Sequence, residues 1–230
     1  MNIKMNIMGS LAALLFASTS QASLIVNSVD MTVAESTFGV TDDNTELDAK
    51  LNFQSAIEDD LVCELSLDIL DNVGGRQLCG GPRRDTVTQF TISGVNTGTT
   101  ELEFGLDWGR GGYSTLYPPA GGAIPVMEKY TDDIWWAFNW NHEDVLKFTF
   151  DFEGEFNLAL LGFEGCCNGT NSARWRSANG EWQSLAVNAA AAVPVPSVLW
   201  LTVLGLAMLG RRKASGAGRV LEFARHTLRK

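Results

Sequence analysis

Leu146-Lys147-Phe148-Thr149-Phe150-Asp151-Phe152-Glu153 places an apolar and a polar residue at alternate positions throughout. Side chains of an extended strand point to opposite faces with a period of two, so this stretch predicts a half-buried strand and not a helix. The same period extends outward. Leu61, Cys63, Leu65, Leu67 and Ile69 alternate with Val62, Glu64, Ser66 and Asp68. Leu102, Phe104, Leu106 and Trp108 alternate with Glu101, Glu103, Gly105 and Asp107. Val87 to Ser93, Asp133 to Trp140 and Glu155 to Phe163 read as further strands. Asn179-Gly180 reads as a type I′ hairpin turn, pairing Ser177 with Trp182 and Trp175 with Ser184 and so putting both tryptophans on one face. Gly and Pro clusters at 74–75, 109–112 and 118–122 separate the segments. From about Thr45 to Leu185 no long amphipathic helix is expected. The fold class that follows is all-β: an antiparallel β-sandwich of jelly-roll type, with a closed barrel as the alternative.

The charge is unevenly spread. The chain of 230 residues carries −10, but Ser23 to Ala192 holds 26 acidic against 9 basic residues, a net of −17. Such a segment repels nucleic-acid phosphates, which excludes that class of partner. Its excess of carboxylates suits divalent cations, a saline medium or plain solubility.

Both ends read as processing segments. Lys4, the apolar run Leu11 to Ala17 and the small residues of Ser20-Gln21-Ala22 have the layout of a secretory signal peptide cut between Ala22 and Ser23. At the other end Pro194-Val195-Pro196 precedes an uncharged run, Val198 to Gly210, closed by Arg211-Arg212-Lys213. Thirteen residues rise only about 20 Å as a helix, so this is a short span, with the basic cluster on the cytoplasmic side. Proline motif, short apolar helix and basic cluster, in that order, resemble the PEP-CTERM sorting signal of Gram-negative bacteria. The resemblance implies processing by an exosortase-type protease after signal peptidase has acted. Val195 stands where the family usually has glutamate, and the chain continues past the basic cluster to Lys230. The expected organisation is a signal peptide (1–22), an acidic β-sandwich domain (23–186), an Ala-rich linker (187–193), a sorting signal with its transmembrane helix (194–213) and a basic cytoplasmic tail (214–230).

Four cysteines in an exported chain should be oxidised. Four allow three connectivities. Cys63 with Cys79 closes a small loop worth about 3 kcal/mol in the chain-entropy model, leaving Cys166 and Cys167 as a vicinal pair in a turn that Gly165 and Gly169 would permit. The competing arrangement sends Cys166 and Cys167 to Cys63 and Cys79. The stretch Gly162-Phe163-Glu164-Gly165-Cys166-Cys167-Asn168-Gly169 resembles a group of PEP-CTERM proteins marked by Cys-Cys-x-Gly. Similar proteins carry segments like Gly105-Leu106-Asp107-Trp108-Gly109-Arg110-Gly111-Gly112 and Asp132-Asp133-Ile134-Trp135-Trp136-Ala137-Phe138-Asn139-Trp140. That resemblance implies no activity.

No catalytic constellation is present in the sequence. There is no G-x-S-x-G and no H-E-x-x-H, and His142 is the mature domain's single histidine. Carboxylate pairs such as Asp132-Asp133 and Glu143-Asp144 occur freely in so acidic a chain. They carry only weak expectations of a glycosidase pair or a loop-bound Ca²⁺. Trp136 and Trp140, on one face of the expected 133–140 strand, are the candidate sugar contacts. The leading expectation is a non-enzymatic cell-surface or extracellular-matrix protein with no resident cofactor, delivered through the inner membrane. A module binding matrix polysaccharide, with or without calcium, is the alternative, and a secreted hydrolase the third.

Overall fold

The computed structural model describes residues 23–117, 126–167 and 169–188. The expected signal peptide (1–22), most of the Ala-rich linker (189–193), the sorting segment with Pro194, Val195, Pro196, Arg211, Arg212 and Lys213, and the tail (214–230) lie outside them. In chain order the elements are β1 (Leu24–Glu35), α1 (Glu46–Asp59), β2 (Leu61–Ser66), α2 (Gly75–Cys79), β3 (Thr86–Gly105) and β4 (Asp107–Trp108). Then follow β5 (Gly112–Tyr117), β6 (Val126–Tyr130), β7 (Ile134–Trp135), β8 (Leu146–Glu164), β9 (Ser172–Ser177) and β10 (Gln183–Ser184). The fold is mostly antiparallel sheet with two helices.

Two of the strands are far longer than the sequence reading expects. β3 and β8 pair from Thr86↔Glu164 to Phe104↔Leu146. Alternation holds along both: Phe90, Ile92, Leu102 and Phe104 of β3 and Phe150, Phe156, Leu158 and Leu160 of β8 are buried on one face. A straight strand of 20 residues would run about 65 Å. Yet the chain that leaves β3 at Gly105 reaches Gly112, which pairs with Gly162 near the opposite end of β8. Those seven steps span at most about 25 Å. The ribbon must therefore fold back on itself.

The fold-back lies where Gly98 (φ 148°) and Gly154 (φ 125°) take conformations that side chains rarely adopt. Asn96, fully buried, fixes it. Its amide donates to the carbonyls of Gly98 (2.5 Å) and Phe152 (2.6 Å), and its oxygen accepts from the Thr100 hydroxyl (2.9 Å). Apolar residues of both halves of the ribbon then meet in one core with Leu24, Val26 and Met31 of β1. β1 pairs the first part of β3 and β9 the last part; β2 lies outside β1, β10 outside β9, and β5 and β6 continue beyond β8. The layers thus come from folding over one eight-stranded sheet, with β4 and β7 as a separate two-stranded sheet.

α1, 14 residues long, corrects the expectation of no long amphipathic helix between about Thr45 and Leu185. It starts at a capping box: the Thr45 hydroxyl accepts from the Asp48 N–H (3.2 Å) while the Asp48 carboxylate accepts from the Thr45 N–H (2.8 Å). Ala49, Phe53, Ala56 and Ile57 then share one face, which packs on Ala34, Val87, Tyr113, Leu161 and Phe163. This helix covers the outer face of the sheet at one end, which is why Leu158 to Phe163 lose the clean alternation seen earlier in β8.

Three strand expectations also shift. β2 ends at Ser66, and Leu61 and Ile69 are exposed, as befits a strand at the sheet edge. The 133–140 segment is strand only at Ile134–Trp135, because Ala137 and Phe138 turn the chain with φ of 53° and 55°. In the last hairpin Trp175 pairs with Gln183, one residue off the expected register. Asn179 at φ 64° and a bond from the Gly180 N–H to the Ser177 carbonyl (2.8 Å) make the turn one residue longer. That slip sends Trp175 and Trp182 to opposite faces. The structure joins Cys63 to Cys79 and Cys166 to Cys167.

Asn96→Ala should cost about 3 kcal/mol, since it removes the partner of two half-buried carbonyls and of the buried Thr100 hydroxyl. The check is urea unfolding of the variant against the parent; an unchanged midpoint would contradict this account of the fold-back.

Candidate functional site

The fold-back delivers the end of β3 to the end of β8. There β4 and β7 pair Asp107 with Trp135 and Trp108 with Ile134. β8 stops at Glu164, and the loop after it returns along β4: Asn171 Oδ1 accepts from the Asp107 N–H (3.0 Å). Between these pieces opens a cleft of about 580 Å³. Glu164 and Asp107 lie deepest, Gly109, Arg110 and Gly165 form a wall, and Asp133, Trp135 and the Cys166–Cys167 disulfide form the rim.

Two glycines make this approach possible. A Cβ on Gly169 would stand 1.6 Å from Asp107 Oδ2, and one on Gly109 would stand 2.8 Å from Glu164 Oε1. In place of side chains, both residues present backbone N–H groups to those carboxylates. Beneath the site the Trp108 ring lies where Gly112 and Gly162 have no side chain. Gly105, Gly109 and Gly112 are therefore packing requirements of two tryptophans and a carboxylate.

The cleft's electrostatics are unusual. Glu164 is only 4% exposed. Its Oε1 accepts from the Cys166 N–H (2.8 Å), while Oε2 is buried without a hydrogen-bond partner. Burial, together with the charges of Asp107 and Asp133, pushes its carboxyl up to about 7, against the pull of the two backbone N–H groups. Burial and the charge of Asp133 push Asp107 up to about 6. Arg110 gives one nitrogen to Asp85 (2.6 Å), and its other terminal nitrogen, Nη1, is buried and unpaired. An unpaired buried donor or acceptor costs free energy that a ligand can recover. Among the described residues no group of three or more His, Cys, Asp or Glu stands close enough to hold a metal ion.

Trp136 and Trp140 fall elsewhere than the sequence reading puts them, and Trp136 is a correction. It is 5% exposed, its ring covers Gly105, and its indole N–H donates to the Thr170 carbonyl (3.0 Å). It is core and offers no face to a sugar. Trp140 is half-buried, its ring tilted against that of Trp136 (centroids 4.8 Å apart) and carrying the Arg174 guanidinium (4.4 Å). Arg174 in turn lies on Trp182 (4.3 Å), whose ring also carries Arg176 (4.5 Å). Each arginine is anchored by a carboxylate, Glu103 or Glu101. In this ladder the rings of Trp140 and Trp182 already carry arginine guanidinium groups. Among the described residues the exposed indole is Trp135, at 53%. His142 sits in the following turn, its Nδ1 accepting from the Asp144 N–H (3.3 Å). Of the charged and aromatic residues lining the cleft, the sequence points to Asp133 alone, as half of the Asp132-Asp133 carboxylate pair, and gives no signal for Asp107, Arg110, Trp135 or Glu164. All of them lie within residues 105–112, 132–140 and 162–169.

No protein-family model and no curated protein matches the chain. Among solved structures, a PA14 sugar-binding domain from an RTX adhesin is 10% identical, with a TM-score of 0.38, covering 70% of this chain and 96% of its own. The epithelial adhesin 9 A domain of Candida glabrata, in complex with Galb1-3GlcNAc, is 9% identical over 74% of this chain and 93% of its own, with a TM-score of 0.38. The PA14 domain of the MpAFP antifreeze protein is 8% identical over 72% and 89%, with a TM-score of 0.35. With TM-scores below 0.5 these likenesses carry no argument about fold or ligand.

Because the folded state raises both carboxyls, it binds more protons than the unfolded chain between about pH 4 and 7, so stability falls as pH rises through that window. The urea midpoint should drop from pH 5 to pH 8. Glu164→Gln should flatten that slope and be the more stable protein at pH 8. A flat profile in the parent would contradict the assignment.

Proposed function

We propose that this chain is a carbohydrate-binding module acting outside the cytosol, with the Asp107–Trp135–Glu164 cleft as its binding site. One observation carries the reading: buried, unpaired polar atoms of opposite kind, Glu164 Oε2 and Arg110 Nη1, belong to side chains lining a cleft beside an exposed indole. Ligand sites pair an apolar platform with a few placed polar groups, and sugar rings need both. Trp135 takes over the platform role that the sequence reading gives to Trp136 and Trp140. Pairing of all four cysteines supports an oxidising compartment. Export, anchoring and exosortase processing rest on the sequence of the two ends, and the partner in that setting is the extracellular polysaccharide.

A second reading has its own observation. Two carboxyls, Glu164 and Asp107, share one cleft, and burial raises that of Glu164, as a glycosidase's general acid requires. Reducing ends released from a bound glycan, and lost in Glu164→Gln, would favour hydrolysis over simple binding.

In affinity electrophoresis through gels containing extracted matrix polysaccharide, the full chain should be retarded, and Trp135→Ala should lose about tenfold or more in affinity. Trp136→Ala should act through stability instead, with cooperative unfolding shifted to lower urea. No retardation of the parent on any glycan would overturn the reading.

A further inference from the structure

The cleft is negatively charged, and this restricts which sugar suits it. Asp107, Asp133 and Glu164 all line it, and of the cation that lines it, Arg110, one terminal nitrogen is paired with Asp85 and the other, Nη1, is unpaired. The carboxylates face one another closely enough that Asp133 disfavours ionisation of Asp107, and both disfavour that of Glu164. The surrounding segment, Ser23 to Ala192, carries −17. Uronate and sulfate sugars are therefore repelled, both at long range and in the cleft. A neutral sugar meets hydrogen-bond acceptors there but leaves the mutual repulsion in place.

We propose that the cleft selects a glycan bearing free amines, a hexosamine whose ammonium is held by Asp107 and Asp133, with Glu164 at the floor and Trp135 against the sugar ring. The inference rests on the carbohydrate reading of the same site. An ammonium has three donors and no fixed coordination shell, so it accepts carboxylates that stand apart, whereas Ca²⁺ needs six to eight oxygens gathered at about 2.3–2.6 Å. Glu164, 4% exposed and with Oε2 unpartnered, places an acceptor below whose ionised form an approaching ammonium favours. Trp135, across the strand pair from Asp107, supplies an aromatic face that attracts both the apolar side of a ring and a cation.

The test is calorimetric titration of the full chain at pH 7, in chelator, with a glucosamine tetrasaccharide and with its N-acetylated counterpart. The amine form should bind at least about tenfold more tightly, and added salt should narrow the difference. Asp133→Asn, at an exposed position, should cut the preference to about threefold or less. Trp135→Ala should weaken both ligands alike. Equal binding of the two oligosaccharides, or tighter binding of the acetylated one, overturns the amine inference and leaves the carbohydrate reading standing. Binding that appears only with added Ca²⁺ also overturns it, because the carboxylates would then be holding the ion. Failure of both ligands and of every neutral glycan removes the two proposals together.

Discussion

The buried amide of Asn96 holds the β3–β8 ribbon folded at Gly98 and Gly154, and the remaining structure follows from that bend. Without it the two ends of the ribbon would lie a strand length apart, and the core would be a single exposed face. With it, the same alternating pattern supplies both sides of the core. The chain between Gly105 and Gly112 can then pass from one end of the ribbon to the other, carrying Asp107 and Arg110 to Glu164. One polar side chain with all its bonds made thus determines where the carboxylates meet.

Much of the sheet is legible from period two alone. The buried faces at Leu102, Phe104, Leu106, Trp108 and Phe150 are those the alternation indicates. α1 was hidden because only four of its apolar residues share a face, while Leu47 and Leu51 are exposed and blur the period. Its capping box, Thr45 to Asp48, was the available signal. The last hairpin slipped because Asn-Gly permits more than one turn length. The 133–140 segment misled because a run of aromatics favours a strand, yet Ala137 and Phe138 adopt positive φ to let Trp136 fill the space above Gly105. Local preference yielded to packing there.

The site was half legible. The segments rich in glycine and tryptophan were visible as unusual, but not the reason for them. Gly105, Gly109, Gly112, Gly162 and Gly169 each stand where a ring or a carboxylate occupies the place of a Cβ. Such complementarity joins residues far apart in sequence, and no spacing rule reveals it. Which tryptophan is exposed depends on the same long-range contacts. Asp107, Asp133 and Glu164 were indistinguishable from the many solvated carboxylates of an acidic domain until the fold-back gathered them.

The account therefore turns on the environment of one carboxyl group. Carbon-detected NMR titration of the Glu164 side chain in the intact protein reads it directly. The structure predicts a midpoint at about 7, moving down when Asp133 is replaced by asparagine. Titration near the ordinary glutamate value of 4.5, insensitive to that replacement, would show that these carboxylates do not share a buried cleft.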